Sequence, residues 1–443
     1  MKKYFLSVVC VCLSMTLFAQ TEKKAELVKK DWNFGALPTI TFDTDLGFQY
    51  GALVNLYNYG DGSRFPKYNH SLYFEVSRFT KGSGINRFYY DSDQLIKGLQ
   101  TSVDLSYLSD QAYDFYGYNG YNAVYQPNWI DDSQPANVYK TRMFYKYDRK
   151  LFRFKVDLQG RLLGDHVRWV SGFNLQNFAI KDVNLDKLNK GKKGSKVLPD
   201  VPGLYQKYQD WGIISAKEAN GGFIPTVKGG VVYDSRDNRP NPMKGVWTEA
   251  VLEAAPGFLG AESSFAKLSL IHREYFTLVP KTLSLVYRVA YQTTVAGHAP
   301  FYYQSQVITS VLTGALSEGL GGAKTLRGIL RNRVVGDGFV YGNAELRWKV
   351  VRFQWIKNNF YLGMNAFTDF GKVTKSIKLP NNISTIPDYA NYFNPGSEKF
   401  HSSYGAGLRI VMNENFVIAA DYGMTPKEQD GKSGMYIGLN YLF

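Results

Sequence analysis

The chain has 443 residues, a formal net charge of +14 and an aromatic share of 16%, with 33 Tyr and 29 Phe beside 42 Gly. Its two cysteines, Cys10 and Cys12, both fall in an apolar run near the start, which excludes thiol nucleophiles, disulfides and Cys-ligated metals from the remainder. A charge of this size could suit nucleic acid, but an exported chain meets anionic lipid headgroups instead.

Export is written in the first residues. Lys2 and Lys3 precede an apolar run from Tyr4 to Phe18 and then Ala19-Gln20, the pattern of a secretory signal peptide over 1–19, cut after Ala19. A short polar lead follows over 20–37, too short for a folded domain. Beyond it no run approaches the ~18 apolar residues of a transmembrane helix. Abundant aromatics with weak overall hydropathy suit instead a membrane barrel, whose outer face carries aromatic girdles and whose inner face is polar. The expectation is a single all-β domain over 38–443, a transmembrane antiparallel β-barrel of about 16 strands.

Period-two alternation predicts strands over 46–58, 69–79, 85–94, 98–109, 138–149, 152–163, 166–179, 223–235, 244–256, 264–277 and 281–295. Residues Thr39 to Phe42 read as a lead into the first of these. Five further strands follow over 339–350, 359–370, 403–412, 415–423 and 435–443, and here the alternation is clearest. Leu346 and Trp348 face lipid while Asn343, Glu345 and Arg347 face a wet lumen, and Leu362 and Met364 oppose Asn365 and Asp369. In the final strand Met435, Ile437, Leu439, Tyr441 and Phe443 are expected to point outward. An even count is what a closed barrel requires, because a sheet in lipid leaves no edge unpaired. If short turns are periplasmic, the long segments 180–222, 296–338 and 371–402 lie outside. One long connection, 111–136, breaks this parity.

The segment 296–338 contains Gly321-Gly322-Ala323-Lys324-Thr325 and then Leu326-Arg327-Gly328-Ile329. An arginine on a Gly-flanked tip can enter the lumen and offer its planar fork to Glu345 and Asp369, which point inward by period. That would place an external loop inside the barrel. Phe367, Asp369 and Gly371 form a Phe-x-Asp-x-Gly motif, Asp234 to Asn238 with Pro242 and Gly245 form a charged turn, and the chain ends on Phe443. In this order the motifs resemble the BamA/TamA family of outer-membrane assembly barrels, also called bacterial surface antigen barrels.

The resemblance implies a sixth external loop folded into the lumen through Leu326, Arg327, Gly328 and Ile329. It implies lumen partners Glu345, Phe367, Asp369 and Gly371, and a C-terminal assembly signal at Phe443. It further implies insertion or translocation of proteins, or of lipids, through a weak seam between the first and last strands. Ile329 stands where the family has an aromatic, and the lead is too short for the periplasmic POTRA domains that typical members use. A passive structural or pore-forming barrel therefore stays open as the alternative. Expected partners are outer-membrane lipid, lipopolysaccharide and client proteins, without nucleic acid.

The basic stretch holding Lys181, Lys187, Lys190, Lys192, Lys193 and Lys196 is either a solvated loop or a contact for lipopolysaccharide phosphates. The Asp234 to Asn238 segment reads as a turn and not as a metal site, and no cofactor is expected. Five scattered histidines, without His-Glu-x-x-His or Gly-x-Ser-x-Gly, give no enzyme signature.

Overall fold

The structure is a computed structural model that describes residues 27–44, 46–310 and 319–443. The expected signal peptide and the first part of the lead fall outside these residues. Strands β1 (Trp32–Asp43), β2 (Gly47–Asn58), β3 (His70–Phe79), β4 (Ser83–Ile96), β5 (Leu99–Asp114), β6 (Lys146–Leu163), β7 (Val167–Lys181) and β8 (Gly221–Asp234) form one half of the wall. The other half comprises β9 (Gly245–Ala255), β10 (Phe265–Val279), β11 (Leu283–Gly297), β12 (Gly338–Trp355), β13 (Asn358–Lys375), β14 (His401–Met412), β15 (Phe416–Met424) and β16 (Ser433–Leu439). Each pairs antiparallel with its sequence neighbours, and β1 pairs with β16 to close the barrel.

The count of sixteen matches the expectation, but two strands differ from it. The stretch expected as a strand over 138–149 is loop as far as Tyr145, and β6 runs unbroken from Lys146 to Leu163. The first strand is Trp32–Asp43, so the wall begins inside the supposed lead and not at residue 38. Pro38 and Gly35 obscure this strand in the sequence; Pro is tolerated there because an edge strand need not donate every N–H. The shift also removes the parity break. Residues 115–145 join 182–220, 298–337 and 376–400 at one end of the barrel, the loop end. The opposite, turn end carries 59–69, 97–98, 164–166, 235–244, 280–282, 356–357 and 413–415.

The wall alternates as its composition dictates. On β12 Leu346 is 43% exposed on the outer face while its neighbour Glu345 is 1% exposed on the inner one. Over the loop end the long connections fold into an aromatic dome. Phe115 lies 5.1 Å from Tyr208, Tyr208 6.0 Å from Phe393, and Trp129 5.2 Å from Tyr392. Such rings bury large apolar areas and hold the segments together as a lid over the lumen. Below the dome a chamber of about 320 Å³ runs from Gly321 and Lys324 down to Pro240 and Asn415 at the turn end.

One link in the dome is set by pH. His298 Nε2 lies 3.3 Å from Glu218 Oε1. The hydrogen bond to Glu218 raises the His298 pKa above its ordinary 6.5, although burial opposes the charge. Burial pushes Glu218 up, but His298 and the Phe301 N–H together hold it below its ordinary 4.5. The raised histidine stabilises the folded loops fully below its unfolded pKa, and that stability is lost as pH rises through the folded value. The depressed glutamate contributes above its own unfolded pKa, and its share is lost as pH falls. The contact is therefore strongest between about pH 4.5 and 6.5. Protease cleavage in 204–220 should be slower at pH 5.5 than at pH 8.5, and Glu218→Gln should abolish the difference.

Candidate functional site

The tip of the 298–337 loop enters the lumen and places Arg327 at its centre, fully buried. Asp369 of β13 holds the arginine by three bonds: Nε to Oδ2 at 2.9 Å, Nη2 to Oδ1 at 2.9 Å, and the backbone N–H to Oδ2 at 3.0 Å. Nη1 donates to Glu345 Oε1 of β12 at 2.6 Å. The Phe367 ring covers the guanidinium face at 3.5 Å. This is the planar, bidentate recognition for which arginine is suited and lysine is not.

Leu326 and Ile329 flank the arginine, both buried against Leu320, Val334, Phe339, Tyr341 and Val373. The site thus accepts an aliphatic Ile329 where the resembling family has an aromatic. Gly371 lets the loop approach, since a Cβ there would lie 3.0 Å from Leu326 Cδ1. Gly328 has φ +89° and its N–H donates to Tyr436 Oη of β16 at 3.2 Å. A Cβ at Gly328 would come 2.5 Å from the Gly423 carbonyl carbon of β15. Gly328→Ala should therefore lower the unfolding free energy by about 1–3 kcal/mol, from positive φ and backbone collision together. A urea titration in detergent would show it; an unchanged midpoint would refute the packing.

Three further members complete the network; alternation puts Arg347 and Arg409 on the inner face but does not assign them to this site, and Asp421 was not singled out. Asp421 of β15 lies 3.4 Å from Arg327 Nη1 and accepts Arg409 of β14 at 2.9 and 3.0 Å. Arg347 of β12 donates through Nε to Glu345 at 2.7 Å and through Nη2 to the Phe443 carbonyl at 3.0 Å. Arg327, Arg347 and Arg409 thus face Glu345, Asp369 and Asp421, so the buried charges balance. Period two in β15 does put Asp421 on the inner face, and that signal could have found it.

Phe443 itself departs from expectation. Tyr441 and Phe443 were expected on the outer face, yet Tyr441, Leu442 and Phe443 are all buried and line the lumenal chamber. The chain turns at Asn440, φ +67°, and leaves the wall after Leu439. Alternation cannot show this, because a residue past the end of the ladder no longer obeys the pleat.

The seam closes unevenly. β1 pairs with β2 along its whole length, from Trp32↔Asn58 to Asp43↔Gly47. Among the described residues it shares with β16 the single rung Asp43↔Tyr436, supported by Thr44 N to Met435 O at 3.1 Å and Met435 N to Thr44 Oγ1 at 2.8 Å. At the turn end the wall overlaps itself, with the Gly35 backbone against the Phe416 ring. Tyr57 Oη donates to Asn415 O at 3.3 Å, while Asn415 Nδ2 donates to Tyr59 Oη at 2.9 Å and Pro66 O at 2.6 Å. The segment before β1 continues the strap: Leu27 N bonds Asn359 Oδ1 at 3.1 Å and Lys29 Nζ bonds Lys357 O at 2.6 Å. Side chains hold this half of the closure in place of a ladder.

A family model described as the Omp85 superfamily domain matches residues 65–443. The chain belongs to the Omp85 superfamily. Among solved structures, BamA from Haemophilus ducreyi lacking POTRA domains 1-3 superposes with TM-score 0.51 at 14% identity, covering 93% of this chain and 71% of that one. CdiB from Escherichia coli superposes with TM-score 0.54 at 11% identity, covering 93% of this chain and 63% of that one, so this chain spans less than two thirds of CdiB. These likenesses concern the fold. No curated relative matches the sequence.

In this Omp85 barrel the residues singled out from sequence converge: Leu326, Arg327, Gly328 and Ile329 meet Glu345, Phe367, Asp369 and Gly371, and Arg347 ties Phe443 to the same network. The Asp234 to Asn238 segment lies apart, at the turn end, and binds itself. Asp234 accepts Arg236 at 2.9 and 3.1 Å, and Asp237 Oδ1 accepts three backbone N–H groups, from Asn238, Met243 and Lys244.

Proposed function

We propose that this Omp85 barrel inserts or translocates polypeptide at the outer membrane, using the β1–β16 seam as the place where a client strand enters. The observation that carries this reading is that the described residues form a single ladder rung at the seam, beside a lumen capped by the dome and the pinned loop. A capped lumen disfavours free diffusion through the pore axis, whereas a wall that opens at one weak line offers a strand edge to pair with. Backbone edges recruit extended peptides through main-chain hydrogen bonds. The barrel would work mechanically and without chemistry of its own, among outer-membrane lipids and with its basic 187–196 stretch toward lipopolysaccharide phosphates.

The test is photo-crosslinking in cells from probes at Phe34 and Phe42 on β1 and at Leu439 on β16. Crosslinks to other exported chains support the reading. Crosslinks confined to β1 and β16 themselves would leave a passive structural barrel as the better account.

A further inference from the structure

The hairpin between β12 and β13 outgrows the wall at the turn end. β12 loses its β11 neighbour after Trp348, with one further bond from Lys349 N to Thr282 O at 2.7 Å. From Val351 to Lys357 every residue is exposed. A two-stranded finger therefore stands clear of the barrel on that side.

A bulge decides what the finger shows. The β12–β13 register shifts between Lys349 and Val351, which pair with Gly363 and Leu362. One inserted residue exchanges the two faces of a strand. Before the bulge Leu346 points outward; after it Val351, Phe353 and Trp355 share the outer face with Phe360 and Leu362. Phe353 and Phe360 stack at 5.3 Å and 10°, and Trp355 lies 6.2 Å from Phe360. The opposite face is tied down: Arg352 donates to Glu414 Oε1 and to Lys281 O, each at 3.0 Å.

The turn itself is strained. Ile356 and Lys357 both have left-handed backbone, φ +45° and +55°, a shape that Asn and Gly take readily and a β-branched residue resists. Ile356 is nonetheless 69% exposed, next to Trp355 at 63%. Strain kept for an apolar side chain that its own chain leaves uncovered points to an occupant outside the chain. The apolar stripe is continuous with the lipid-facing Leu346, Leu362 and Met364 of the wall. Cations rim it: Lys357 at the tip, Lys281 beside Arg352, and Lys29, whose Nζ bonds Lys357 O. Glu414, the acid that the hairpin touches, is already taken up by Lys349 and Arg352. Trp beside apolar and basic residues suits a lipid–water boundary with anionic headgroups.

We propose that the β12–β13 tip is a lipid-binding finger. Phe353, Trp355 and Ile356 enter the acyl boundary of the bilayer leaflet on the turn-end side, and Lys357 takes an anionic phospholipid headgroup. Leu27 and Lys29 of the strap dock on the same hairpin, so the finger ties the strap to the bilayer.

The experiment uses the full chain carrying Cys10→Ser and Cys12→Ser, reconstituted in phosphatidylcholine vesicles with or without phosphatidylglycerol. An environment-sensitive fluorophore is attached through Ile356→Cys or, on the opposite face of the hairpin, through Gln354→Cys. Lipids brominated on their acyl chains should quench the label at 356 several-fold more than the label at 354, and aqueous iodide should do the reverse. Where Ile356→Cys disturbs the turn, Trp355→Cys carries the same test from the strand. Lys357→Gln should lower crosslinking of the tip to phosphatidylglycerol bearing a headgroup diazirine by about fivefold, the worth of one cation at such a surface; an unchanged yield would strike out the headgroup contact. Equal iodide quenching of both labels puts the tip in water and overturns the finger. Shielding of the 356 label in native membranes but not in pure-lipid vesicles would make the occupant a protein and overturn it as well.

Discussion

Replacing Arg327 by alanine is expected to destabilise the barrel by about 3–5 kcal/mol, the usual consequence of removing one member of a buried ion network. Asp369 and Glu345 would be left buried with one shared counter-charge fewer, since Arg347 reaches Glu345 but not Asp369. Lysine should rescue little, because a single ammonium cannot reproduce two parallel bonds to Asp369 while also meeting Glu345. The triple variant Arg327→Met, Asp369→Asn, Glu345→Gln should recover part of the loss by removing the unpaired charges along with the pair. The readouts are the urea midpoint in detergent and the protease sensitivity of 319–337. A midpoint for Arg327→Ala within ~0.5 kcal/mol of the parent, the usual scatter of a surface change, would mean that the loop is held by Leu326 and Ile329 alone.

Much of this site is legible in the amino-acid sequence. Asp369, Glu345 and Arg347 fall on the inner face because a pleated strand alternates, and the β12–β13 pairing keeps one register between its two shifts, at Gly338/Phe339 and Lys349/Val351. What alternation could not supply was long-range order. It could not tell Val138 to Tyr145, which alternates and then folds into the dome with Phe144 fully buried, from a true strand. It also undervalued Trp32 to Asp43, whose Gly35 and Pro38 read as a loop but serve an edge. The two errors cancelled in the count and left one trace, the parity break at 111–136. The lumenal C-terminus was invisible for another reason: its contacts on β10–β12 lie more than a hundred residues away from some partners and follow no local period. Tyr436 was placed on the inner face only by default, opposite Met435 and Ile437, and its bond to Gly328 depends on how far the loop descends.

Locking the upper seam gives the second large effect. Met435 and Thr44 face one another where β16 meets β1, joined by Thr44 N to Met435 O at 3.1 Å. Directly opposed antiparallel residues have Cα atoms about 4.5–5.5 Å apart, within the range that a disulfide spans. The double variant Thr44→Cys, Met435→Cys should oxidise readily in a chain whose native cysteines lie only at positions 10 and 12. If clients enter at the seam, the oxidised form should lose at least nine tenths of its crosslinks to them, and reduction should restore these. The Lys29→Ala, Asn359→Ala pair tests the other half: it removes the strap bonds without touching the rung, and should increase client crosslinks from Phe34 more than from Phe42. A barrel in which the oxidised upper seam still crosslinks clients from Phe34 would place entry at the overlapped turn end, where Asn415 and the strap, and not the Asp43↔Tyr436 rung, control the opening.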